Sequence, residues 1–109
     1  MTLIPDLRGH GESQLRSDFG GRERLDTTRA IDYLISRNDV ESSKITLMGS
    51  SFGGMNAIIA GAIDSRVNTV VSSSSPSNLS RWLANQDWDG EERHSFVQHT
   101  PIDFENIEE

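Results

Sequence analysis

Residues 48 to 54 read Met-Gly-Ser-Ser-Phe-Gly-Gly, and within them Gly49-Ser50-Ser51-Phe52-Gly53 has the pattern G-x-S-x-G. A serine in this setting can act as a nucleophile on a carbonyl carbon, provided that a sharp strand-to-helix turn lifts its hydroxyl above a sheet. Side chains two residues before and after the serine would collide in such a turn, so Gly49 and Gly53 are expected there for steric reasons. The five-residue pattern carries little weight alone in a chain with nine glycines and fifteen serines. Its context carries more. The apolar run Ile45-Thr46-Leu47-Met48 precedes it, and a glycine- and alanine-lined stretch follows. A helix that starts just after Ser51 would also direct backbone N–H groups at developing negative charge.

The other reactive residues point nowhere so definite. His10 sits in a turn-rich loop and reads as a structural loop residue. Ser51, then Asp87 or Asp89, then His94 or His99 satisfy the chain order serine, acid, histidine, but no strand pattern near residues 87–99 would present them. His94 and His99 lack a third ligand at useful spacing, so no metal is expected. With no cysteine in the chain, thiolate metal sites, disulfide scaffolds and cysteine nucleophiles are excluded. The tract Ser72-Ser73-Ser74-Ser75 lacks the glycine and lysine of a phosphate cradle and reads as a solvated strand end. Arg8 is expected to tie its loop to neighbouring carboxylates.

The elements that would position Ser51 can be read from periodicity. Leu3-Ile4-Pro5 looks like the end of a strand. Thr27, Ala30, Ile31, Leu34 and Ile35 share one face of a helix over about 23–36. Lys44 to Met48 and the β-branched Val67 to Val71 read as buried strands. Between them a helix runs from Phe52 to about Ala62, with Gly53, Ala57 and Gly61 as a stripe of small residues for close packing. Trp82 and Trp88 read as packing anchors or as one wall of a cleft, and residues 91–99 as a further helical stretch. Alternating strands and helices predict a parallel sheet with crossover helices.

Composition narrows the function classes. The net charge of −7 over 109 residues makes nucleic acid and anionic membrane poor partners. No apolar run nears the ~20 residues of a bilayer span. The opening residues are too short an apolar run for a signal peptide, which favours a cytoplasmic location.

Four segments carry a resemblance to a known family. Asp6-Leu7-Arg8-Gly9-His10-Gly11-Glu12-Ser13 looks like the D-x-R-G-x-G-x-S loop of the α/β-hydrolases. Ala30 to Leu34 resembles the helix that follows this loop. Lys44 to Ala60 is similar to the family's fifth strand, nucleophile elbow and next helix, and Asp64 to Val71 to its sixth strand. The likeness is closest to the branch of dienelactone hydrolases and prolyl-oligopeptidase-like esterases and peptidases. Residues 1–84 match well and residues 85–109, with Thr100-Pro101-Ile102-Asp103, match weakly.

The resemblance implies an incomplete α/β-hydrolase domain over residues 1–109: a mostly parallel sheet flanked by helices, without the N-terminal strands or the last two. The family's acid and histidine follow its seventh and eighth strands, so they are expected outside this chain. Its third strand lies between the fourth and fifth, so a gap inside the sheet is expected. The implied activity is hydrolysis of an ester, amide or peptide bond through an acyl-enzyme on Ser51, with the N–H of Phe52 as one oxyanion donor and without cofactor or metal. The expected partners are a small-molecule ester or peptide substrate and a complementary chain. The rival expectation is a non-enzymatic product or an interaction module that pairs through an exposed strand edge.

Overall fold

In the computed structural model the described residues are 1–17, 21–78 and 81. They form helix α1 (Glu23–Ser36), strand β1 (Ile45–Ser50), helix α2 (Phe52–Ile63) and strand β2 (Val67–Ser73). β1 and β2 pair in parallel, and α2 is the crossover between them. The expected helix over 23–36 matches α1, and the other three elements run one to two residues past the predicted ends. The readings placed on residues 82–109 lie outside the described residues.

Register in the β1–β2 pair is set at its start. Ile45 pairs with Val67 and Thr46 with Thr69, so Asn68 is an extra residue on β2. Its side chain makes good the interruption, because Asn68 Oδ1 accepts a hydrogen bond of 2.8 Å from the Ile45 N–H. Beyond it the ladder runs without further shift to Ser50 and Ser73.

The core lies where α1, α2 and one face of the pair meet, and Ile31, Ile45, Met55, Ala57 and Ala60 are buried there. Of the small-residue stripe, Ala57 is buried and Gly61 lies against β2, where a Cβ would come within 2.4 Å of Val70 Cγ2. α1 packs against α2, and Arg66 bridges it to the approach to β2. The Arg66 guanidinium donates to Asp32 on α1 at 2.7 Å and to both oxygens of buried Asp64 at 2.7 and 2.8 Å.

Two strand expectations need correction. β1 and β2 are not buried on both faces: β1 alternates inward and outward, and β2 is exposed along most of its length. Met48 and Val71, cross-strand neighbours on the outer face, are 77% and 43% exposed. Parallel strands ordinarily have both faces covered; here the described residues cover one. Leu3-Ile4-Pro5 does not belong to a strand either. A strand is defined by its ladder, and residues 1–7 are separated from β1 by an open slot of about 860 Å³. Leu3, Ile4, Ile31, Leu34, Leu47 and Asn56 are among the residues that line this slot. With no strand on its far side among the described residues, the slot borders one edge of a two-stranded sheet and does not test the gap expected inside a larger one.

Candidate active site

Ser51 is the single residue between the end of β1 and the start of α2. Its backbone has φ 51° and ψ −120°, a conformation that non-glycine residues rarely adopt and that costs about 1–3 kcal/mol. The surroundings hold it there. The Ser51 N–H donates to the Ser73 carbonyl at 2.9 Å, and the Ser51 carbonyl accepts from the Met55 N–H at 3.0 Å. A serine before a helix usually spends its hydroxyl on capping the first turn. Ser51 does not: its side chain makes no cap hydrogen bond, and the residue is exposed. The turn therefore presents an uncommitted hydroxyl at the C-terminal end of a parallel pair, beside the N-terminus of a 12-residue helix.

The close approach in the turn depends on Gly49 and on Gly54. A Cβ on Gly49 would fall 2.3 Å from the carbonyl carbon and oxygen of Gly53. A Cβ on Gly54 would fall 2.6 Å from Ser72 Oγ and 3.0 Å from the Gly49 carbonyl oxygen. Among the described residues a Cβ on Gly53 would meet nothing within 4 Å. The steric reason given for Gly53 thus fails. What Gly49 needs is the proximity of the Gly53 backbone, and Gly54 provides the second close contact.

The loop before α1 explains the D-x-R-G-x-G-x-S residues one at a time. Asp6 Oδ2 accepts from the Glu12 N–H at 3.2 Å, and its carbonyl accepts from Ser13 Oγ at 2.6 Å. Gly9 and Gly11 have φ of 73° and 53°, the left-handed region where a side chain is strained. A Cβ on Gly11 would also collide with the Asp6 carboxylate at 2.1 Å. The Arg8 guanidinium donates to both oxygens of Asp26 at 2.9 and 2.7 Å, and the Arg8 N–H donates to the same carboxylate at 3.0 Å. The carboxylate expected beside Arg8 is thus on the first turn of α1.

This loop reaches the elbow through His10. Its ring stacks on that of Phe52, with centroids 5.3 Å apart and planes inclined by 23°. His10 Nδ1 lies 3.0 Å from the Arg8 carbonyl, which can only accept, so Nδ1 carries a proton. The structural reading of His10 agrees with this tie. Asp87, Asp89, His94 and His99 lie outside the described residues.

Sequence reading missed three supports of the turn. The serine tract does more than end β2: Ser73 anchors the Ser51 N–H, and Ser72 Oγ bonds to Ser75 Oγ beside Gly54. Stacking of His10 on Phe52 has no signal in spacing, since 42 residues separate them. Asn56 had one. It is the only polar side chain in Phe-Gly-Gly-Met-Asn-Ala-Ile-Ile-Ala-Gly-Ala-Ile, and it is 2% exposed. Its Nδ2 donates to the Phe52 carbonyl at 3.1 Å.

Comparison with known proteins now bears on this geometry. Residues 2–106 match the family model described as the alpha/beta hydrolase fold. The chain belongs to the α/β-hydrolase family. It is also similar to "Putative hydrolase YtaP" of Bacillus subtilis (strain 168), at 30% identity over 103 residues, which is 88% of this chain and 33% of that protein. The chain thus spans about a third of the length of this relative. No solved structure gives a significant match. Family membership accounts for the strand–turn–helix order around Ser51.

Proposed function

We propose that this chain carries the nucleophile of a serine hydrolase acting on an ester, amide or peptide bond through an acyl-enzyme. The observation that carries the reading is the backbone of Ser51, at φ 51° between a parallel strand and a helix, with its hydroxyl exposed and unspent on capping. Strain of this kind at a family elbow is what presents a nucleophile.

In this reading Ser51 Oγ attacks the carbonyl carbon while a histidine from outside the chain takes its proton. The negative charge moves to the carbonyl oxygen, towards the first-turn N–H of Phe52. Collapse of the tetrahedral species expels the alcohol or amine, which receives the proton from the histidine. Water then attacks the acyl carbon by the same route and frees Ser51. The dienelactone hydrolase and prolyl-oligopeptidase-like branch is supported by the motif likeness of residues 6–13 and 44–60. No cofactor takes part in this scheme.

Two measurements test it. The native polypeptide that carries this sequence is expected to exceed 12.1 kDa and to be labelled by a fluorophosphonate on Ser51, as located by peptide mass mapping. Labelling of a different serine, with Ser51 unmodified, overturns the assignment. The 109-residue chain alone is expected to hydrolyse a p-nitrophenyl ester no faster than its Ser51→Ala variant, because a serine without its base is an ordinary alcohol. A serine-dependent turnover well above the variant would contradict the external histidine. A second reading, an interaction module for complementary chains, draws on the slot beside β1.

A further inference from the structure

His10 is fixed at three points within its own loop. Its N–H donates to the Leu7 carbonyl at 3.0 Å, and its carbonyl accepts from the Ser13 N–H at 3.0 Å. Its ring Nδ1–H donates to the Arg8 carbonyl at 3.0 Å. The loop is in turn anchored on α1 through Arg8 and Asp26. A ring held by both backbone and side chain has a defined plane, and stacking needs one. That plane lies on Phe52, with centroids 5.3 Å apart and an inclination of 23°. Phenylalanine at position 10 could stack as well, but it lacks the ring donor that fixes the tilt.

What the stack holds is the residue after Ser51. The planar Ser51–Phe52 peptide carries the Phe52 N–H and the Ser51 carbonyl, which accepts from the Met55 N–H at 3.0 Å. With that carbonyl bonded, the peptide can still rock about the hydrogen bond, and rocking turns the N–H. Phe52 limits this motion at two places: its carbonyl is held by Asn56 Nδ2 at 3.1 Å, and its ring by His10. Asn56 Oδ1, buried beside the slot, has no hydrogen-bond partner among the described residues. The hold of Asn56 on the turn therefore runs through Nδ2.

We propose that His10 is a positioning residue for the Ser51–Phe52 peptide: its ring, stacked on Phe52, keeps the Phe52 N–H aimed at the oxygen that becomes negative when Ser51 attacks. The inference rests on the reading of Ser51 as a nucleophile and adds a part which that reading does not use. His10 touches no reacting atom in this scheme and moves no proton. It acts by raising the fraction of molecules whose turn is aligned. The stack can bias that fraction by no more than its own free energy. For an aromatic stack of ordinary strength this corresponds to about three- to tenfold in rate.

The test uses the native polypeptide that carries this sequence and a fluorophosphonate. Labelling of Ser51 is followed over time and reagent concentration, which separates the maximal rate from the half-saturating concentration. His10→Ala is expected to lower the maximal rate about three- to tenfold and to leave the half-saturating concentration unchanged. His10→Phe, which can still stack, is expected to keep most of the parent rate. In a Phe52→Leu background there is no ring to hold, so His10→Ala should change the rate by less than about twofold. A role in loop folding alone would slow labelling equally in both backgrounds, and that result overturns the proposal. A loss in His10→Phe as deep as in His10→Ala overturns it too, since the stack would then not be what matters. A parent unlabelled on Ser51 overturns the reading on which the inference rests. A labelled parent whose His10→Ala variant reacts equally fast overturns the inference alone.

Discussion

Gly49 and Gly53 look equivalent in the motif, each two residues from Ser51, yet they stand in opposite situations. A methyl group on Gly49 would be driven into the Gly53 backbone, whereas one on Gly53 would enter open space. Backbone cannot yield as a flexible side chain can, so Gly49→Ala is expected to cost at least the ~1–3 kcal/mol of an overpacked site. Gly53→Ala is expected to be neutral or to stabilise by up to about 1 kcal/mol, because it lies in a helix where alanine is preferred. Urea denaturation of the two variants beside the parent chain separates them, and equal losses would contradict the geometry. The motif shows that glycines surround the serine. Which of them is sterically required depends on how the strand and helix backbones approach.

At the scale of elements, the tie between α1 and the approach to β2 has a pH signature. Arg66 hydrogen bonds hold the carboxyl of buried Asp64 below the ordinary carboxylate range, and its guanidinium is pushed further up, out of reach of titration. A carboxyl with a lowered folded pKa stabilises fully above its unfolded value of about 3.9. That contribution is lost as pH falls from there through the lowered folded value. Asp64→Asn should therefore be less stable than the parent at pH 7, and the difference should shrink as pH falls below about 4. Thermal unfolding at pH 7, 4 and 3 measures this, and a constant difference would refute it. Close packing of α2 on β2 rests on Gly61, where alanine would press on Val70 Cγ2. Gly61→Ala is expected to destabilise by about 1–3 kcal/mol in the same unfolding measurements. The boundaries of α1 and α2 were legible because their apolar spacing is local. Asn68 was not, since its value to the ladder arises only from the Ile45 N–H opposite.

For the molecule as a whole, the uncovered sheet face governs behaviour in isolation. Met48 and Val71 are paired across the ladder on that face, and the chain places nothing over them among the described residues. Exposed apolar sheet surface associates, partly opposed by the repulsion of a −7 charge. Met48→Lys is therefore expected to reduce association of the isolated chain, as read by sedimentation velocity at rising concentration. The effect should be larger at high salt, where repulsion is screened. No change at either ionic strength would show that the face is inert. The sequence by itself determined the succession of α1, β1, α2 and β2, the strand-to-helix turn at Ser51 and the loop motif of Asp6 to Ser13. Each of these is written in local spacing, in glycines that permit a turn and in apolar periodicity that fits one element type. Only the tertiary structure decided that residues 1–7 stand apart from β1, that Asp26 answers Arg8, that His10 stacks on Phe52, and that buried Asn56 keeps an unpaired oxygen beside the slot. Those facts join residues far apart in the chain, and their physical origin is the packing of α1 and α2 on one face of a sheet left open at its edge.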